Sequence, residues 1–115
     1  MPESFHAMLS RIDRDGRMLR LSKEVDARHL SALVVKADRP VLFERVRGFD
    51  IPVVGGLFWS RARLAASLSW PEVELGTRFA AGVRTMIEPV LVDDAPAREV
   101  VRAGADVDLT ELPLP

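Results

Sequence analysis

The chain has 115 residues, 48% of them apolar and 29% charged, with 16 Lys and Arg against 17 Asp and Glu for a net charge of −1. That is enough for one domain with one modest core. It is too apolar for a disordered tail, and its charge gives no pull toward nucleic acid or an anionic membrane. With no cysteine, disulfides, thiol nucleophiles and cysteine-ligated zinc or iron–sulfur clusters are excluded. The longest apolar runs, such as Pro40 to Phe43, fall far short of a membrane-spanning helix.

Met1 to His6 carry neither a basic flank nor an apolar signal core, so the cytoplasm is the expected compartment. Phe5, Met8, Leu9 and Ile12 then recur at helical spacing, with Ser4 placed to cap the helix and Asp15-Gly16 to end it. In Arg17 to Leu21, Leu19 and Leu21 alternate with Arg20, which predicts a short strand with one buried face. Asp26 is placed to cap a second helix bearing Leu30, Leu33, Val34 and Ala37, which Asp38-Arg39-Pro40 breaks. Val41 to Arg45 and Ile51 to Gly55 read as strands around a turn at Arg47 to Asp50, the second an edge strand because of Pro52.

A third helix is expected over Arg61 to Leu68, capped by Ser60. Ser69-Trp70-Pro71-Glu72 has the form of a capping box. It would start a fourth helix reaching about Glu88, with Phe79, Ala80, Val83, Met86 and Ile87 on its apolar face. Gly76 and Gly82 weaken that helix by roughly 1 kcal/mol each, and Pro89 stops it. Val90 to Val92 and Glu99 to Arg102 are strand candidates. Asp93 to Pro96 and Gly104 to Asp106 are turns, and the prolines of Thr110 to Pro115 preclude regular structure there. This order predicts a small single α/β (α+β) domain, a short mixed sheet packed against about four helices. Phe5, Leu9, Leu33, Phe43, Leu64, Phe79 and Val83 are its expected shared core.

Chemistry is sparse. His6 and His29 have no acidic or histidine neighbour at i+4, and zinc needs three protein ligands or more, so both read as surface or boundary residues. Asp93-Asp94 and the Asp106, Asp108 pair have the composition of acid–base or cation sites. They sit, however, in turn sequence, where Asp serves Asx-turns. Gly55-Gly56 ahead of a capped helix, with Arg61 and Arg63 near, outlines an anion nest. Without a full glycine-rich motif it reads as tight packing at a strand end. No serine lies in a nucleophile elbow.

Two stretches resemble a known family. Pro40 to Phe58 resembles the PxLFExVxGxDxPVxGNLF segment of the UbiD-like decarboxylases, and Ser60-Arg61-Ala62-Arg63-Leu64-Ala65 resembles their SRERIA helix start. Ala95 to Val101 with Gly104 to Pro113 resembles their APxKEVVxxGxDVDLxxLP. Arg17 to Asp26 is similar to their GELxRIxxPVD, so the likeness runs along nearly the whole chain in order. Gly56 stands where the family pattern has Asn, Trp59 where a small residue is usual, and the helix after Asp26 is several residues shorter.

The resemblance implies an N-terminal α/β domain over residues 1–109 and a linker over 110–115, leading toward a missing cofactor-binding split-barrel domain. UbiD-like enzymes are reversible, non-oxidative carboxy-lyases of aromatic, heteroaromatic or α,β-unsaturated acids. They use prenylated FMN with a divalent metal and often potassium. The family's catalytic network and its metal and phosphate ligands follow the Leu112-Pro113 element. The resemblance therefore carries no catalytic, cofactor-binding or metal residue onto this sequence.

The expected function is that of the N-terminal domain, fragment or subunit of such a decarboxylase: scaffold, inactive alone and binding no cofactor itself. The other reading is a free-standing, non-catalytic accessory protein derived from that domain. The expected partner is a cofactor-binding decarboxylase domain or subunit in a homo- or hetero-oligomer, with no nucleic acid and no membrane. Leu109, Leu112 and Leu114 lead across the surface that partner would cover.

Overall fold

The computed structural model describes residues 3–114. Met1, Pro2 and Pro115, at the outer ends of the expected domain and linker, lie outside the described residues. Helix α1 spans Phe5–Arg14, and the Ser4 hydroxyl accepts from the Ala7 N–H at 3.2 Å, as an N-cap should. Gly16 takes φ +69°, which turns the chain into strand β1, Leu19–Leu21. Asp26 caps a single 3₁₀ turn, Ala27–His29, by accepting from the Arg28 N–H, and α2 follows over Leu30–Lys36. Strands β2 (Val41–Phe43) and β3 (Val53–Gly55) come next, then α3 (Arg61–Leu68), whose Ser60 cap accepts from the Arg63 N–H.

The sheet is mixed, in the order β1-β2-β3. β1 and β2 run parallel, with Leu19, Arg20 and Leu21 opposite Val41, Leu42 and Phe43. A parallel pair needs a crossover, and α2 supplies it. β3 returns antiparallel, pairing Val53 with Phe43 and Gly55 with Val41. Because side chains alternate along a strand, this register sorts residues onto two faces. Val41, Phe43 and Leu21 meet Leu30 and Val34 of α2 in one core, which Val46 completes. Leu42 and Val54 face the other way, onto Met8, Leu9 and Ile12 of α1 with Met18 and Leu57. β2 is therefore apolar on both faces because both faces are covered.

α3 lies beside α1. The Arg11 guanidinium bridges them, donating to the carbonyls of Ala66 at 2.9 Å and Ser67 at 2.8 Å and pairing with Glu3. Both carbonyls lie in the last turn of α3, and that of Ala66 also accepts from the N–H of the cap residue Ser69 at 3.3 Å. Among the described residues no helix is long and apolar enough to cross a membrane.

Several expectations need correction. Of the expected core, Phe43 is fully buried and Leu9, Leu33 and Leu64 are partly buried, but Phe5, Phe79 and Val83 are exposed. Leu19, expected to be inside, is exposed at the first position of edge strand β1. The capping box does not form. Ser69 adopts φ 57°, ψ 37° and ends α3, so it is not available to start another helix. A 3₁₀ turn at Glu72–Glu74 leads into α4, Leu75–Arg84, which stops four residues short of the expected Glu88. Neither Val90 to Val92 nor Glu99 to Arg102 forms a strand. Residues 104–106 form a 3₁₀ turn where a turn is expected, and 96–98 and 109–111 form two more, the last reaching into the stretch expected to be irregular.

Candidate docking surface

Leu75, Phe79 and Val83 are spaced by four and share one face of α4. Their exposure climbs along the helix, from 2% at Leu75 to 49% at Phe79 and 79% at Val83. The helix is rooted in the body and then leaves it. Its root is aromatic: the rings of Trp70 and Phe79 stand edge to face at 5.6 Å, and the Arg78 guanidinium lies 5.3 Å over Trp70. Arg78 also pairs with Glu74, one helical turn back, at 2.7 Å.

Beyond α4 the chain forms an open arm. Among residues 76–112 all but Ala95 are exposed, about half at Phe79 and nearly completely at Leu91. Met86, Ile87, Val90, Leu91, Val100 and Val101 all present apolar side chains to water, Leu91 at 97%. The arm comes back to the body at its far end: Pro113 is buried, and Thr110 and Glu111 line a shallow cleft with Gly48 to Ile51. The overall shape follows from this. The radius of gyration is 17.0 Å, against about 13 Å for a compact chain of this length, and the extents are 43 × 40 × 21 Å. An exposed apolar area of this reach makes the arm the candidate docking surface of the chain.

The residues singled out for chemistry are scattered or already occupied. Among the described residues no group of three or more His, Asp or Glu is placed to hold a metal. His6 is exposed on α1, and His29 ends the 3₁₀ turn before α2. Asp93 and Asp94 are exposed on the arm. Asp108 caps the last 3₁₀ turn, accepting from the Thr110 N–H at 2.9 Å and its hydroxyl at 2.6 Å. Those bonds hold its carboxyl below the usual range.

Gly55 and Gly56 do not form an anion cradle. A Cβ on Gly56 would lie 3.1 Å from an Arg63 nitrogen and 3.2 Å from Val34. Arg63 itself is committed to the backbone, donating to the carbonyls of Gly56 at 3.2 Å and Ala37 at 3.1 Å. The cleft of about 330 Å³ between α1 and α3 is lined by Arg17, Arg39 and Arg63. Two of these are engaged, since Arg39 binds Asp38 and the Gly16 carbonyl.

Reading from residue spacing missed the arm, because Val90 to Val92 looked like a strand of this domain and Phe79 and Val83 like its core. It also missed Phe58 and Trp59, which lie exposed beside Phe5. The available signal was the run of apolar residues after Pro89 without helical or alternating periodicity.

Residues 9–82 match the family described as the 3-octaprenyl-4-hydroxybenzoate carboxy-lyase N-terminal domain, UbiD_N. A protein of Rhodospirillum rubrum, described as an uncharacterized protein in the cooM 5′ region, is 37% identical over 116 residues, covering 94% of this chain and 25% of the relative. An evolved dimeric form of the UbiD-class enzyme HmfF from Pelotomaculum thermopropionicum, solved in complex with prFMN, superposes with a TM-score of 0.84 at 36% identity. The likeness covers 98% of this chain and 28% of that one. HmfF in complex with FMN gives a TM-score of 0.77 at 32% identity over 96% of this chain and 26% of that one. The chain thus spans about a quarter of the length of the relatives it matches.

Proposed function

Since this chain belongs to the UbiD family as its N-terminal domain, we propose that it is the scaffold on which the cofactor-binding domain of a UbiD-class carboxy-lyase assembles. The observation that carries this reading is the arm. α4 and residues 85–112 expose an apolar surface that the body does not cover, and the likeness to HmfF extends over 98% of the chain, arm included. A conformation that is open here is thus shared with a part of a chain about four times longer.

The complete enzyme is a non-oxidative decarboxylase of an aromatic or α,β-unsaturated acid, using prenylated FMN with a divalent metal and potassium. It is a cytoplasmic homo- or hetero-oligomer. The Gly55-Gly56 turn does not fit the phosphate of that cofactor. Val34 and Arg63 fill the space at Gly55 and Gly56 that a phosphate would need, and no cluster of metal ligands forms among the described residues. No chemical step is assigned to the chain: its part is to bind, position and cover.

The test is a chimera in which this chain replaces the matched first quarter of HmfF. A soluble chimera that retains flavin and releases CO₂ from the HmfF substrate is the expected result. Loss of both flavin and activity, with the chimera folded by circular dichroism, would overturn the reading.

A further inference from the structure

We infer that Val90-Leu91-Val92 is an unpaired strand that docks, backbone to backbone, on the open edge of a β-sheet in the partner. The inference rests on the reading of the arm as the face that meets a cofactor-binding domain, and it specifies how that contact is made. No backbone N–H or C=O of residues 86–94 is hydrogen-bonded to another described residue. In the free chain, water satisfies these groups, since the segment is exposed throughout. Covering Val90 to Val92 expels that water, and each orphaned amide then needs a protein partner.

The segment has the form of a strand. It is three residues long, as are β1, β2 and β3. It is free of helix, turn and bend, and two of its residues are β-branched. Side chains alternate along a strand, so Leu91 would face one way and Val90 and Val92 the other, apolar on both faces. β2, the central strand of this sheet, has the same character and is covered on both faces.

Its limits are marked. Pro89 has no N–H and stops pairing on one side, and the chain bends at Asp93 on the other. The domain's own sheet does not take the segment, since its order ends at β1 and β3. A sheet edge supplied from elsewhere pairs the alternate amides that face it, in register, which an apolar helix face would leave unpaired.

Hydrogen exchange tests this, read on peptides covering residues 86–92 and 76–84 in the isolated chain and in the HmfF chimera, with the chain and the HmfF remainder also mixed as separate polypeptides. The Val83→Cys variant reports burial of the α4 face by its rate of alkylation. The expected result is fast exchange at residues 90–92 in the isolated chain, slowed by ~100-fold or more in the assembly at the alternate amides that pair, together with slowed alkylation at position 83. Slowed alkylation with exchange at 90–92 still fast would overturn the strand pairing and leave the docking reading standing. No change at either position, in fusion or in mixture, would overturn both.

Discussion

Gly55 of β3 lies against Val34 of α2 so closely that a Cβ on the glycine would sit 2.5 Å from Val34 Cγ2. The register explains the contact. Gly55 is opposite Val41, whose side chain joins the core under α2, so Gly55 faces the helix too. A side chain there would push the helix off the sheet. Gly55→Ala is therefore expected to cost about 1–3 kcal/mol. Val34→Ala should relieve part of that cost, so that the double variant loses less than the two singles together. Urea melts of the four proteins measure this. Simple additivity would show that the helix can shift freely.

Acid sensitivity should be traceable to Asp26. The Arg28 guanidinium and backbone N–H both donate to its carboxylate and hold it well below the usual carboxylate range. A carboxyl depressed in the folded state favours folding above its unfolded pKa of about 3.9. That contribution is lost as the pH falls through the unfolded value toward the folded one. The acid limb of a stability-against-pH curve, measured by urea midpoints from pH 6 downward, should be shallower in Asp26→Asn. An unchanged limb would show that the cap is not formed in solution.

Phe79→Ala distinguishes an arm from a core helix. A fully buried Phe would cost about 3–5 kcal/mol on truncation. Phe79 is half exposed and meets Trp70 edge to face, so the expected loss is about 0.5–1.5 kcal/mol, with a change in Trp70 fluorescence. A loss in the larger range would mean that α4 folds back onto the body.

What was legible in the sequence was local. Ser4 and Ser60 announce their helices because the cap bond spans only three residues, and α3 has the predicted bounds of Arg61 and Leu68. Where two local rules competed, the sequence misled. Ser69 has the form of a cap for the next helix, but its left-handed backbone is spent on ending α3. Periodicity shows that α4 has an apolar face but not what covers it, so the core that spacing predicts includes Phe79 and Val83, which the structure leaves exposed. Val90 to Val92 has strand composition, but no edge in this domain receives it. The proposed docking surface consists of apolar residues that the body leaves exposed, and spacing rules carry no information on what covers such a face.

The docking claim is tested most directly by mixing the chain with the HmfF remainder lacking its matched first quarter and measuring mass by light scattering. Wild type should form a 1:1 complex. The Val83→Asp, Leu91→Asp variant should stay apart from the remainder yet keep its urea midpoint, since both side chains are exposed in the free chain. A wild-type chain that remains a monomer beside the remainder, or a doubly charged variant that binds as well as wild type, would contradict the claim.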